Sequence, residues 1–288
     1  MAKKIDKEES RPIEQLREQY LVEKELALRL KRADRAERAL LYASLYDELF
    51  RRIPHHPQMI KRASGEEQTK DVRAQMQFLS HFLTHETVFL EIGPGDCALS
   101  YEAAKYVKKV LAIDVSKEVA NISKAPDNFQ LILSDGSGIP LPSESIHVAY
   151  SHQLMEHLHP DDALEQLQNI YKVLVPGGLY ICITPNRLNG PHDVSMHFER
   201  VALGFHLKEY TNTELVRLFK AVGFSKIKAY VQVKELCFRF PLFLIKGCEW
   251  LLSLLPYSLR KAIALTKFCR LLLGIRLIGQ KSQSKIGS

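Results

Sequence analysis

The chain is short of the features that mark disulfide-bonded, zinc-bound or membrane-spanning proteins. Its 288 residues include five cysteines: Cys97, Cys182, Cys237, Cys248 and Cys269. They are odd in number and widely spaced, with no CxxC pair and no Cys/His cluster at zinc spacing. Free thiols in a reducing cytoplasm are therefore expected, and no metal site. No apolar run approaches the roughly 18 residues a spanning helix needs. The opening MAKKIDKEES lacks the apolar run of a secretory signal. A cytoplasmic location follows as the expectation. Internal repeats and low-complexity tracts are absent too.

What is present is an ordinary apolar fraction, 46%, enough for a sizeable core. The net charge of +7 is unevenly spread. From Leu236 onward there are nine basic residues and one acid, Glu249, so the final segment carries the whole positive excess. Such asymmetry points to a polyanion or anionic membrane partner for that segment, or to a solvated basic face.

Residues 1 to about 50 read as helix, with Leu16, Tyr20, Leu41, Leu45 and Leu49 at helical spacing, broken by Pro54 and Pro57. The first ten residues are too charged to expect order. From Thr87 the pattern changes. Strands are expected near 87–92, 109–113, 129–133, 146–150 and 179–184, with helices near 97–107, 117–123 and 161–174 between them. This alternation implies a parallel, doubly wound sheet covered on both faces. A loop rich in Pro, Asn, Gly and His follows. Then come a helix near 211–222, capped by Thr211 with Glu214 and stopped by Gly223, and a strand near 225–233. Apolar helical material is expected over 236–272, and a last strand near 274–281.

The central motif is VFLEIGPGDCALS at 88–100. An apolar strand ends in Glu91, and Gly93 and Gly95 turn the chain into a helix. Glycine permits close approach of a ligand to the backbone, and a helix start offers free N–H groups to an anionic group. The motif matches G-x-G-x-x-G/A with Ala98 in third place. Asp114 ends the second strand, 19 residues after Gly95, where a carboxylate can accept both ribose hydroxyls. Asp135, in SDGSGIP, follows the third strand, where an adenine amino group would be met. Asp-Gly also favours turns by itself. Together the three strand ends indicate an adenosine-containing cofactor, with NAD as a competitor.

The sequence resembles the class I S-adenosylmethionine (SAM)-dependent methyltransferases of the methyltransferase type 11 kind, particularly the group that includes quinone-biosynthesis methyltransferases. The resemblance rests on Glu91-Ile-Gly-Pro-Gly95, Asp114, Asp135-Gly136, SHQLMEHL at 151–158 and LVPGGLYICITPN at 174–186, and covers roughly 80–233. It implies an α/β, Rossmann-like, doubly wound and mostly parallel seven-stranded sheet. An N-terminal helical extension (1–80) would precede the methyltransferase domain (81–288), which carries a helical insertion at about 236–272. It implies that Gly93 and Gly95 hold the methionine part of SAM, with Glu91 supporting the loop and amino group. Asp114 would bind the ribose, Asp135 with Gly136 the adenine, and His152 would sit beside the methionine end. Pro176-Gly177-Gly178 would turn the chain into the fifth strand.

A base is needed only where the attacking atom holds a proton it will not otherwise lose. Six histidines fall within 55 residues: His152, His157, His159, His192, His197 and His206. His157 and His192 are the catalytic candidates. His192 is favoured because Asp193 beside it could orient the imidazole, and His206 with Glu209 and Tyr210 could line the same mouth. Signatures of nucleic-acid amino methyltransferases are missing: no Asp/Asn-Pro-Pro-Tyr follows the fourth strand, and no Pro-Cys pair is present. No nucleic-acid partner is therefore expected. The acceptor is expected to be a small molecule, a glycan or lipid-linked. Segment 236–285 is read as a peripheral membrane contact, or as a lid or dimer contact. Two other classes stay open, a non-catalytic SAM- or nucleotide-binding regulator and an NAD(P)-dependent oxidoreductase.

Overall fold

A computed structural model describes residues 11–56, 66–116, 125–233 and 236–283. The helix expected near 117–123 and the first ten residues lie outside that set. The N-terminal stretch forms two helices, α1 (Ile13–Arg32) and α2 (Arg35–Arg52). They part at Asp34, whose carboxylate accepts from Glu37 N while the Glu37 side chain accepts from Asp34 N. This capping box satisfies amide groups that a new helix start would leave open. Helix α3 spans Glu66–Leu79.

The sheet is built from β1 (Val88–Ile92), β2 (Lys109–Asp114), β3 (Phe129–Leu133), β4 (Ile146–His152), β5 (Leu174–Thr184), β6 (Lys226–Val233), β7 (Leu236–Phe240) and β8 (Ile275–Gln280). Their order is β3-β2-β1-β4-β5-β8-β6-β7. The first five are parallel; β8 runs antiparallel between β5 and β6. The sheet thus has eight strands rather than seven. The extra one, β7, pairs with β6 as an edge hairpin and occupies the start of the segment expected to be helical. The rest of that segment is α7 (Leu242–Ser253), α8 (Tyr257–Ala264) and α9 (Lys267–Leu273). The remaining helices are α4 (Ala98–Ala103), shorter than expected, α5 (Pro160–Val173) and α6 (Asn212–Val222). Thr211 and Glu214 form the capping box of α6, and Gly223 ends it at φ +116°.

Strand side chains alternate between two buried faces. Leu90, Ile92, Leu111 and Ile113 meet Leu26, Leu45, Leu167 and Phe219 from α1, α2, α5 and α6 on one face. Phe89, Val110 and Tyr150 meet Phe78 and Leu99 from α3 and α4 on the other. Strand β5 begins five residues earlier than expected. Its register against β4 jumps from Ile146↔Leu174 to Val148↔Leu179, so Pro176-Gly177-Gly178 is a bulge inside the strand rather than a turn into it. Gly177 sits there at φ +81°. Among the described residues no helix is long and apolar enough to cross a membrane.

Candidate active site

The sheet order reverses between β1 and β4, and the crevice beyond the strand ends at such a point is where open α/β sheets bind ligands. A cleft of about 940 Å³ lies there. Gly93 and Gly95 line it in left-handed backbone, φ +68° and +56°. A Cβ on Gly93 would stand 3.0 Å from Leu154 Cδ1. Glu91 is buried at the base, where the Ser100 hydroxyl donates to its carboxylate. Burial pushes its carboxyl up to about 8. Asp114 lines the cleft at the end of β2, its Oδ1 accepting from Val115 N at 2.7 Å. Gly136 and Ser134 line it after β3, and His152 at the end of β4.

Of the residues the sequence put together, Asp135 alone is absent from this lining. Its Oδ1 accepts from Gly138 N at 2.7 Å and Ser137 N at 3.2 Å, and its Oδ2 pairs with Arg35 at 2.8 Å. Burial opposes its charge, but those amides and the guanidinium hold it below the usual carboxylate range. Asp135 therefore closes the turn and ties it to α2, while the following Gly136 faces the cleft. Gly136 is at φ +97°, and a Cβ there would meet Tyr42 at 2.7 Å. Its carbonyl accepts from Gln166 at 2.7 Å.

Tyr42, Tyr46 and Arg51, all on α2, also line the cleft. The sequence reading missed them because an amphipathic helix shows only that one face is buried, not what it covers. Helix α2 is fixed by a buried pair. Arg38 donates to both Asp162 oxygens at 2.7 and 2.6 Å, and Tyr42 Oη donates to Oδ2 at 2.8 Å. The N-terminal extension is thus part of the cofactor site's wall.

A second cavity, about 760 Å³, adjoins the first. It is lined by Thr184, Asn186, His192, Asp193 and His206 from the loop beyond β5, by Arg11, Gln19 and Glu23 from the N-terminal segment, and by Arg276 from β8. Tyr46, His152, Gln153, His157 and Phe205 line both cavities. Gln153 holds φ +53°, a costly conformation for a residue with a Cβ.

At this junction both imidazoles are neutral. Burial lowers His152 to about 4, with the charge of Arg276 adding to the effect. Burial lowers His157 to about 3. His157 Nδ1 lies 3.0 Å from Phe205 O. A carbonyl only accepts, so Nδ1 carries the hydrogen and Nε2 keeps its lone pair. His192 lines only the second cavity, and its expected partnership with Asp193 is not formed. Asp193 instead accepts from Ser195 N at 3.0 Å and Gly204 N at 2.8 Å, capping a short 3₁₀ turn. The imidazole–carboxylate pair in this loop is His206 with Glu209, at 2.8 Å. Burial opposes charge on His206, yet Glu209, Glu156 and Asp193 outweigh it and raise its pKa.

The expectation of no metal site rested on sequence spacing, and the tertiary structure gathers a different set. Glu156, His157 and His206 each offer a ligand atom, all within 4.8 Å of one another. Two imidazoles and a carboxylate are a donor set suited to a divalent transition metal. Thr184 Oγ1 donates to Glu156 Oε2 at 2.7 Å, and Glu156 Oε1 is buried without a hydrogen-bond partner.

Comparison with known proteins agrees with this geometry. Residues 90–182 match the family described as "Methyltransferase domain". A "probable S-adenosylmethionine-dependent methyltransferase" of Mycolicibacterium smegmatis is 26% identical over 147 residues, 50% of this chain and 55% of that protein. One from Mycobacterium tuberculosis is 26% identical over 159 residues, 51% of this chain and 56% of the relative. The chain thus spans little more than half the length of these curated relatives. In fold it is similar to a SAM-dependent methyltransferase of Archaeoglobus fulgidus, with TM-score 0.50 and 16% identity over 74% of this chain and 94% of that one. The left-handed glycines of the loop, with open space where a Cβ on Gly95 would stand, suit a nucleoside cofactor held close to backbone. Residues 90–182 thus match a methyltransferase domain, the chain is similar to SAM-dependent methyltransferases, and that likeness implies S-adenosylmethionine as the cofactor.

Proposed function

We propose that the protein methylates a small-molecule, glycan or lipid-linked acceptor held in the histidine-lined cavity, and that it works against an anionic membrane surface. The observation that carries this reading is the shared wall. Five residues, Tyr46, His152, Gln153, His157 and Phe205, border both the cofactor cleft and the second cavity.

When bound, SAM supplies a methyl group already activated on a sulfonium. The chain's own residues then have three tasks: to hold the cofactor, to position the acceptor, and to take a proton where the attacking atom has one to lose. Gly93, Gly95, Gly136, Asp114 and Glu91 serve the first. The loop 184–206 and β8 serve the second. His157 and His152 serve the third, because both are neutral at pH 7 and lie at the junction. His192, inside the second cavity, is assigned to acceptor contact.

Support for the membrane comes from α7–α9. Phe243, Trp250 and Phe268 are 73%, 62% and 67% exposed. Lys246, Arg260, Lys261, Lys267 and Arg270 lie on the same three helices. Their one acid, Glu249, is buried, accepting from Asn186, Asn212 and Thr213. Exposed apolar side chains interleaved along these helices with cations, and with no exposed acid among them, suit anionic lipid.

Calorimetry with S-adenosylhomocysteine and NAD, followed by labelled-methyl transfer into lipid, glycan, small-molecule and protein pools, tests the first part. Label is expected in one of the first three pools. Binding of NAD and none of S-adenosylhomocysteine would overturn the reading; binding without transfer to any pool would favour a regulatory protein. Flotation with phosphatidylglycerol-containing and pure phosphatidylcholine vesicles tests the second part. The wild type is expected to float only with the anionic vesicles, and the Trp250→Ser, Phe268→Ser double variant with neither. Equal flotation of the two proteins leaves α7–α9 as a lid.

A further inference from the structure

Arg276 is an arginine the fold shelters without a counterion. It stands in β8 opposite Ile183 of β5 and forms part of the wall of the second cavity, near His152. Its guanidinium carbon lies 5.9 Å from the centroid of the Phe78 ring. Nη2 donates to Gln232 Oε1 at 2.7 Å, and Nε is buried with no acceptor. Among the described residues no carboxylate lies within ion-pair distance of it. Arg260 is likewise half-buried with no ion pair among the described residues, but it lies over the Tyr257 ring and lines neither cavity; three other sheltered arginines are paired. Arg38 holds Asp162, Arg35 holds Asp135 and Glu165, and Arg52 holds Glu25 and Glu48.

The surroundings of Arg276 do not neutralise it. Tyr150 is a buried phenol donating to Gln75 Oε1, and burial pushes the Cys237 thiol up. The carboxylates that line the cavity are committed elsewhere. Glu23 accepts from Gln19 and from Phe205 N, and Asp193 accepts from Ser195 N and Gly204 N. Arginine keeps its charge at neutral pH. A guanidinium partly withdrawn from water without a countercharge is costly unless something supplies the missing charge.

We propose that Arg276 anchors an anionic group, a carboxylate or phosphate, on the methyl acceptor. This rests on the reading of the second cavity as the acceptor site. A planar guanidinium pairs with either group through two parallel N–H bonds. Arg276 and His152 line the same cavity, and His152 also borders the cofactor cleft. An acceptor held by its acid therefore has its remaining groups directed along a wall that ends at the junction. The cavity selects against neutral analogues because they leave the half-buried cation without a countercharge.

The test uses the full chain saturated with S-adenosylhomocysteine and titrated with benzoate, inorganic phosphate and benzamide as the neutral isostere of benzoate. Benzoate or phosphate is expected to bind at least about tenfold tighter than benzamide. The stronger of the two acids identifies the acceptor's group. Arg276→Gln is expected to abolish the preference and Arg276→Lys to keep part of it, both with unchanged affinity for S-adenosylhomocysteine. Undiminished preference in Arg276→Gln, or none in the wild type, overturns the proposal. If Arg276→Gln does not fold, phenylglyoxal labelling of wild-type Arg276, read by mass spectrometry, decides. Protection by benzoate or phosphate but not by benzamide supports the anchor, and equal labelling refutes it. Failure of the wild type to bind S-adenosylhomocysteine would instead sink the methyltransferase reading.

Discussion

The cofactor cleft takes its glycines and about half of its polar lining from the ends of four neighbouring strands, β1 to β4, whereas the second cavity collects residues from Arg11 to Arg276. In the cleft the backbone does much of the work: glycines in left-handed conformation and a buried carboxyl at one strand end. In the cavity side chains from distant segments do it: six histidines, two arginines and carboxylates already committed to amides. A site made of strand ends is set by sheet topology and suits an invariant cofactor. A site made of loop and helix side chains can be rebuilt without touching the sheet, and suits a variable acceptor.

The helix that roofs both sites gives the largest expected effect. Asp162→Ala would leave Arg38 and Tyr42 without their buried acceptor, costing about 3–5 kcal/mol in chemical denaturation. Because α2 supplies Tyr46 to both cavities, affinity for S-adenosylhomocysteine should fall as well. Unchanged affinity would show the cleft to be independent of its roof. His157→Gln separates the two sites more finely. Methyl transfer should drop by about 100-fold while S-adenosylhomocysteine affinity is retained. Equal losses in both would move His157 to the cofactor side. Asp114→Ala should do the reverse, weakening SAM by about tenfold in calorimetry with the fold intact. Normal affinity would mean the acid is misassigned.

The smallest effect is a pH slope. The Glu91 carboxyl is raised to about 8 in the fold, so its contribution is complete below its unfolded value of 4.5 and lost as pH rises through about 8. The depressed His152 and His157 contribute fully above about 6.5, and so are flat from there to pH 8. His206, raised by its carboxylates, slopes the same way as Glu91 in both proteins and cancels in the comparison. Between pH 6.5 and 8 the wild type should therefore lose on the order of 1 kcal/mol more than Glu91→Gln, by thermal or urea unfolding at each pH. Parallel curves would place the proton elsewhere.

Much of the fold was readable residue by residue. Alternating apolar runs located β1 to β4, and Thr211, Glu214 and Gly223 bounded α6 correctly. The misreadings share a cause. Segment 236–240 is apolar at a spacing that suits helix or strand, and only β6 beside it makes it β7. Pro176-Gly177-Gly178 carries turn chemistry, but the neighbouring β4 pairs with the chain on both sides of it, so the segment becomes a bulge. In the cleft, Gly93, Gly95, Asp114 and Gly136 stand together because each lies within three residues of a strand end. Asp135 does not join them because Arg35, 100 residues earlier, pairs with it across the turn.

By itself the sequence determined the alternation of strand and helix, the left-handed glycine loop after β1 and the cofactor class, all of which depend on contacts a few residues apart. Tertiary structure alone decided that His157 faces His206 and that Arg276 is left without a carboxylate. Those facts depend on side chains tens of residues apart or more whose meeting no local pattern encodes. The glycine-rich turn marks a nucleotide-cofactor site because its chemistry is carried in one short stretch of backbone, and the family resemblance points that site to SAM; the acceptor's chemistry is spread over the whole chain and becomes visible only once the chain is packed.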